Sequence, residues 1–229
     1  MNILKSTFAA VFAVLSLSLL SAGAQNDKDW ARFGKYENDN AQVTAKPKAV
    51  IMGDSITEGW AKKDPDFFTA NNILGRGISG QVTSQMLVRF RKDVLDLEPE
   101  CVVILAGTND IARNNGFITL ENIFGNIVSM CELAEFHGIT PVLCSVLPAA
   151  RYGWRPEIEG VAAEVMSLNG MLEGYARDKG YVYVDFHSVL KDENGGLPQN
   201  HAADGIHPGL DCYKIMEGML LDSLKQVGK

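Results

Sequence analysis

The residues whose types and spacing could do chemistry lie far apart in this chain. Ser55 closes a Gly53-Asp54-Ser55 turn after an apolar run at residues 49–52, and Asp204-Gly205-Ile206-His207 lies near the other end. A serine hydroxyl is a poor nucleophile at neutral pH. Acyl transfer through it needs a base within hydrogen-bond reach and a third group that holds the base in the right tautomer. The Asp204-x-x-His207 spacing can supply both from one turn, with Asp204 folding back toward the imidazole while the other ring nitrogen faces Ser55. An oxyanion formed on attack needs donors that are already in place. The sequence offers three: the N–H of Ser55 at a helix-like start, the N–H of Gly77 in Arg76-Gly77-Ile78-Ser79-Gly80, and the side-chain amide of Asn109.

Regular elements must deliver these groups to one place. Short apolar runs recur at residues 49–52, 72–74, 102–106, 141–144 and 181–184. Helix-length periodic segments separate or follow them at 82–95, 120–136, 158–179 and 210–226. Near-continuous apolar runs are what a parallel sheet covered on both faces requires. Alternation of strand and helix then predicts a doubly wound α/β domain. Thr119 reads as an N-cap, Gly138 and Gly180 as helix stops, while Gly160, Gly170 and Gly174 predict a break near Asn169 in the 158–179 helix. Ligands of open parallel sheets bind outside the carboxyl ends of the strands. There the chemistry falls: Ser55 after the first strand, Gly77 after the second, Asn109 after the third, His207 at the opening of the last helix.

Each of these residues also has a plainer reading. Alone, Ser55 is a helix N-cap and His207, before Pro208, a turn residue; the combination favours catalysis, with Asp54 bracing the turn. Asp185-Phe186-His187 forms a rival Asp/His pair, read as structural or as substrate rim. His201 reads as loop lining, and His137 suits a helix C-terminus. Trp60, Tyr152, Trp154, Arg151 and Arg155 are expected on loops near the active edge, where an aromatic stacks on a sugar ring, holds an acyl chain or simply packs.

Residues 1–24 hold one charge, Lys5, then an apolar stretch and Ala22-Gly23-Ala24. This pattern predicts a cleaved signal peptide and export to the periplasm or the extracellular space. No Cys follows the cleavage region, so a stable membrane anchor is not expected. Residues 25–48 read as a polar lead-in that packs only partly, and 49–229 as one domain. The formal charge of −7, with no basic cluster, argues against nucleic acid and anionic membranes as partners. Cys101, Cys131, Cys144 and Cys212 could pair in an exported protein, but their apolar settings favour small buried hydrophobes. No Cys/His spacing suggests a metal.

The motifs also resemble a known family. Gly53-Asp54-Ser55-Ile56-Thr57-Glu58-Gly59-Trp60, Gly77, Gly107-Thr108-Asn109-Asp110 and Asp204-Gly205-Ile206-His207 are similar to the four blocks of SGNH or GDSL-type esterases, in the family's order and across essentially all of the chain that follows the predicted signal segment. The similarity is greatest to the branch with lysophospholipase-like, platelet-activating-factor-acetylhydrolase-like and carbohydrate acetylesterase members. The resemblance implies a flavodoxin-like three-layer α/β/α sandwich with a five-stranded parallel sheet. It also implies no metal or other cofactor, and ester hydrolysis through an acyl-enzyme. On that basis the expected catalytic residues are Ser55, Asp204 and His207, with Ser55, Gly77 and Asn109 as the oxyanion hole. The expected substrate is a small-molecule or oligosaccharide ester carrying a short acyl group, acetyl above all. Two alternatives stay open: a lysophospholipase or thioesterase taking longer chains, and a noncatalytic glycan-binding protein on an esterase fold.

Overall fold

The computed structural model describes residues 29–227, so the expected signal segment at 1–24 lies outside the described residues. The compact unit that carries the sheet begins at Ala31. In chain order its elements are α1 (Glu37–Ala41), β1 (Ala49–Gly53), α2 (Ser55–Lys63), α3 (Pro65–Ala70), β2 (Ile73–Gly77), α4 (Thr83–Asp93), a 3-10 turn (Leu95–Leu97), β3 (Cys101–Leu105) and α5 (Thr108–Ile111). Then follow α6 (Leu120–Phe136), β4 (Thr140–Cys144), α7 (Val161–Lys179), β5 (Val182–Val184), α8 (Phe186–Leu190) and α9 (Leu210–Leu224).

All five strands are parallel, in the order β2-β1-β3-β4-β5. Every residue of β1 and β3 is buried, as two covered faces demand. Val50, Met52, Val102 and Ile104 point into a core made with α4, α6 and α7. Their neighbours Ala49, Ile51, Cys101 and Val103 point into a second core with α2, α3, α8 and α9. The architecture is the expected three-layer sandwich. Full burial of a side chain such as Phe90, Ile104 or Met216 stabilises it by about 1.5–3 kcal/mol each.

The strand order reverses direction at β1, which places the crevice of the sheet between the ends of β1 and β3. In register, Gly53 stands opposite both Gly77 and Leu105, so the turns after β1, β2 and β3 are neighbours by construction.

Thr119 caps α6, its side chain accepting from the Asn122 N–H, and Gly138 and Gly180 adopt φ near +70° after α6 and α7. The predicted break near Asn169 does not occur, since α7 runs unbroken from Val161 to Lys179. Asn169 accepts from the Val146 N–H at 2.7 Å and donates to its carbonyl at 3.1 Å, splicing the helix to the chain after β4. That tertiary pairing outweighs the weak helix propensity of the flanking glycines. All four cysteines are buried free thiols. Burial pushes Cys101 and Cys131 up to about 12 and Cys212 to about 11, leaving no thiolate to compete as nucleophile near neutral pH.

Candidate active site

Ser55 is the first residue of α2, and Asp54 is its N-cap, with Oδ1 accepting from the Ile56 N–H at 2.9 Å. The Ser55 N–H is therefore among the first-turn donors that have no acceptor within the helix. Half-buried Ser55 presents its Oγ 2.9 Å from His207 Nε2. The other ring nitrogen, Nδ1, lies 2.7 Å from Asp204 Oδ2. Asp204 Oδ1 in turn accepts from the backbone N–H groups of Ile206 and His207 at 2.9 and 2.8 Å. Partial burial works to raise the Asp204 carboxyl, but these hydrogen bonds prevail and hold it down at about 2. It is a carboxylate throughout the neutral range, aimed at one ring nitrogen while the other meets a hydroxyl. Such an arrangement can strip a proton from Ser55 and stabilise the imidazolium that results.

Gly77 ends β2 beside that turn. A Cβ there would meet the Glu58 nitrogen at 2.3 Å and the Asp54 carbonyl at 2.5 Å, so only glycine lets the strand end approach the nucleophile turn. Gly107, at φ +123°, opens α5 in a conformation that side chains rarely adopt and places Asn109 at its start. Asn109 is buried. Its Nδ2 donates to the Gln81 carbonyl at 3.0 Å, leaving the second Nδ2 hydrogen, and its Oδ1 accepts from Asn114 Nδ2 at 2.7 Å. Next to it, Asp110 accepts from both the N–H and the hydroxyl of Thr83, pinning the start of α4 against α5.

The site geometry agrees with the sequence similarities. A sequence model of the GDSL-like lipase/acylhydrolase family matches residues 51–215. The chain belongs to that family. A crystal structure of a candidate acylhydrolase from Bacteroides fragilis superposes with a TM-score of 0.84 at 43% identity, covering 87% of this chain and 99% of that one. A GDSL-like lipase from Bacteroides thetaiotaomicron gives 0.82 at 42% identity, covering 86% and 98%. An uncharacterized lipoprotein of Bacillus subtilis is 36% identical over 116 residues, 43% of this chain, and the matched stretch spans 48% of that relative.

Around this GDSL site stand residues that the motifs did not announce. Arg89, fully buried on α4, donates to Gln81 Oε1 at 2.6 Å, Asp93 Oδ2 at 2.8 Å, the Arg76 carbonyl at 2.9 Å and the Gly53 carbonyl at 3.0 Å. The last two belong to the peptide units that lead into Gly77 and Asp54, so one guanidinium holds the ends of β1 and β2. Glu58 accepts from the Ser79 N–H and hydroxyl at 2.8 and 2.6 Å and from Lys62 at 2.7 Å, tying the loop after Gly77 to α2. Burial opposes that carboxylate, but its partners prevail and keep it at about 2. The lead-in contributes too: the Tyr36 hydroxyl donates to the Gly77 carbonyl, and Gln81 Nε2 donates to the Ala31 carbonyl.

The rim residues divide. Trp60 is not on a loop but inside the core on α2, 1% exposed, stacked between Phe67 and Tyr213 with its indole N–H on Glu217. Tyr152 is also buried, its hydroxyl 3.0 Å from that of Thr108. Trp154 is the exposed member, its ring 6.5 Å from the His207 ring at 30°. Arg155 pairs with Glu157 at 2.9 Å, while exposed Arg151 lines a cavity of about 670 Å³ with Asp192, Asn194, Gln199 and Asp204. The rival pair does not form a dyad: Asp185 caps α8 by accepting from the Ser188 N–H at 3.0 Å, and His187 is buried. Among the described residues, no group of three or more His, Cys, Asp or Glu side chains is arranged to hold a metal ion.

Proposed function

We propose that the protein is a serine carboxylic ester hydrolase that works through an acyl-enzyme. The observation that carries this reading is the continuous hydrogen-bonded line from Asp204 through His207 to Ser55, at 2.7 and 2.9 Å. In the proposed cycle His207 Nε2 takes the Ser55 proton as Oγ attacks the ester carbonyl. The N–H groups of Ser55 and Gly77 and the Asn109 amide receive the oxyanion. His207 then gives the proton to the departing alcohol, and a water activated by the same imidazole releases the acid. Substitution Ser55→Ala is expected to abolish p-nitrophenyl acetate turnover and fluorophosphonate labelling, with an unchanged circular dichroism spectrum and melt. Full turnover in that variant would refute the assignment.

For the substrate we infer a short acyl group, acetyl above all, on a polar or sugar-like alcohol. Support comes from the polar cavity beside Asp204 and the exposed indole face of Trp154 next to His207. Longer acyl chains are the second reading, favoured by exposed Phe117 beside a small cavity lined by Ile111, Ile118 and Leu120. A series of p-nitrophenyl esters separates the two, since each methylene without room lowers kcat/KM by roughly 10-fold or more. Steady activity from acetate to decanoate would overturn the short-chain reading. Export is proposed on the pattern of residues 1–24, and the name of the Bacillus subtilis relative accords with it. Finding the expressed protein confined to the cytosolic fraction would overturn that.

A further inference from the structure

We propose that Asn114 is a positioning residue for the oxyanion hole and that Trp154 holds it in place from the exposed end, so that contact with the substrate at the rim is linked to turnover. The proposal rests on the reading of Ser55 as nucleophile and Asn109 as oxyanion donor.

Three side chains form a line of hydrogen bonds from the surface to Asn109. The Trp154 indole N–H donates to Asn114 Oδ1 at 2.9 Å, and Asn114 Nδ2 donates to Asn109 Oδ1 at 2.7 Å. Asn109 Nδ2 donates to the Gln81 carbonyl at 3.0 Å. An amide can be turned end for end at little cost unless its partners distinguish oxygen from nitrogen. Indole is a donor only. Its N–H therefore selects the oxygen of Asn114, which turns the Asn114 nitrogen toward Asn109, which fixes the Asn109 oxygen on that side. The Gln81 carbonyl, an acceptor only, demands the same polarity from the buried end, so the line is held from both of its ends. A reversed Asn114 would set donor against donor at Trp154, and its oxygen would face the oxygen of Asn109.

The outcome concerns the hydrogen that the line leaves over. With Oδ1 held by Asn114 and one Nδ2 hydrogen held by Gln81, the second Nδ2 hydrogen is fixed in direction. Accepting a bond at Oδ1 also polarises the amide and makes that hydrogen a stronger donor. The backbone reinforces the arrangement: the Asn114 N–H donates to the Asn109 carbonyl at 3.0 Å, and Arg113 takes φ +54° to bring Asn114 round. For a non-glycine residue that conformation costs on the order of 1 kcal/mol or more and persists only where its surroundings hold it.

Trp154 is 44% exposed and flanks the His207 ring. A substrate ring lying on the indole face shields the Trp154–Asn114 bond from water. It should thus raise the rate of the chemical step as well as affinity.

The test uses the full chain with p-nitrophenyl acetate and a fluorophosphonate, whose phosphoryl oxygen occupies the same hole as it reacts with Ser55. Asn114→Ala is expected to lower kcat and the labelling rate constant by about 5- to 10-fold, the worth of a hydrogen bond near 1 kcal/mol, with KM within about twofold. Trp154→Phe keeps a ring and removes the N–H, and is expected to lower kcat about 2- to 4-fold. The double variant should be no slower than Asn114→Ala alone, because both changes cut one line. Both positions are exposed, so melts should stay within about 2 °C of the parent. Parental kcat and labelling in Asn114→Ala, or losses in the two variants that multiply, would overturn the proposal. Ser55→Ala read in parallel separates the failures: turnover surviving there removes the nucleophile assignment itself, whatever Asn114 does.

Discussion

Replacing Arg89 by methionine keeps the bulk of a buried side chain and removes its donors. The guanidinium has no exposed surface and bonds four acceptors, namely Asp93 Oδ2, Gln81 Oε1 and the carbonyls of Gly53 and Arg76. Asp93, itself 1% exposed, would keep only the Asn40 amide at 2.9 Å. Leaving one member of a buried ion pair uncompensated costs about 3–5 kcal/mol. Stranding two carbonyls adds about 1 kcal/mol each, for a total of about 5–7 kcal/mol. At about 2–4 °C per kcal/mol for a domain of this size, Tm should fall by roughly 10–28 °C in a calorimetric scan. The second variant makes the reasoning specific. Arg89→Met with Asp93→Leu removes both charges, so it should recover the ion-pair share of the loss, while Asn40 keeps its bond to the Lys92 carbonyl. Esterase activity should not return with stability, because the Gly53 and Arg76 peptide units still lack their clamp. A single variant melting within about 3 °C of the parent, or a double variant no more stable than the single, would refute the argument.

Asp204→Asn should lower kcat on the order of 10³–10⁴-fold with little change in melt. An amide at that position no longer selects the His207 tautomer that leaves Nε2 free to accept from Ser55; a loss below tenfold in p-nitrophenyl acetate assays would contradict it. Stability should also depend on pH through the buried acids. Burial raises Asp54 to about 7 and Asp110 to about 6, against 3.8 ordinarily. The folded protein then holds protons that the unfolded chain has released, so their contribution is full below about pH 4 and is lost as pH rises toward 6–7. His187, lowered by burial, works in the opposite sense, so the measurement is a difference. Urea midpoints from pH 4.5 to 7.5 should fall more steeply with pH in the parent than in Asp110→Asn, and parallel curves would exclude the assignment.

Much of the fold was legible because its signals are local. Five short apolar runs without alternation, separated or followed by helix-length periodic segments, read as strands of a parallel sheet, and all five appear in the sheet in the expected sequence positions. The segment 120–136 is a helix to the residue. The short helices were not legible. α2 and α3 together carry only Ile56, Trp60, Phe67 and Phe68 as large buried apolar side chains, too few for a period to show. Trp60 was misplaced for the same reason: Phe67 and Phe68 pack on it from the next short helix, but Tyr213 and Glu217, which complete its enclosure, lie more than 150 positions away.

The candidate site divides along a related line. Ser55, Gly77, Asn109, Asp204 and His207 could be found because chemistry restricts their types and spacing within short blocks. Arg89 could not, since an arginine on a helix reads as a solvated face, and its i,i+4 spacing to Asp93 is the commonest of surface pairings. Only the buried stripe it shares with Met86 and Phe90 gives it away. Tyr36 and Glu58 hold Gly77 and Ser79 from segments that carry no apolar period near them. Residues that react are thus readable from sequence, whereas residues that hold them are chosen by tertiary geometry. A polar side chain with several acceptors around it is visible as such only once the strands have brought those acceptors together. This is why the variants most informative about the site are those at Arg89 and Asn114, whose removal leaves the reacting groups intact and withdraws only their orientation.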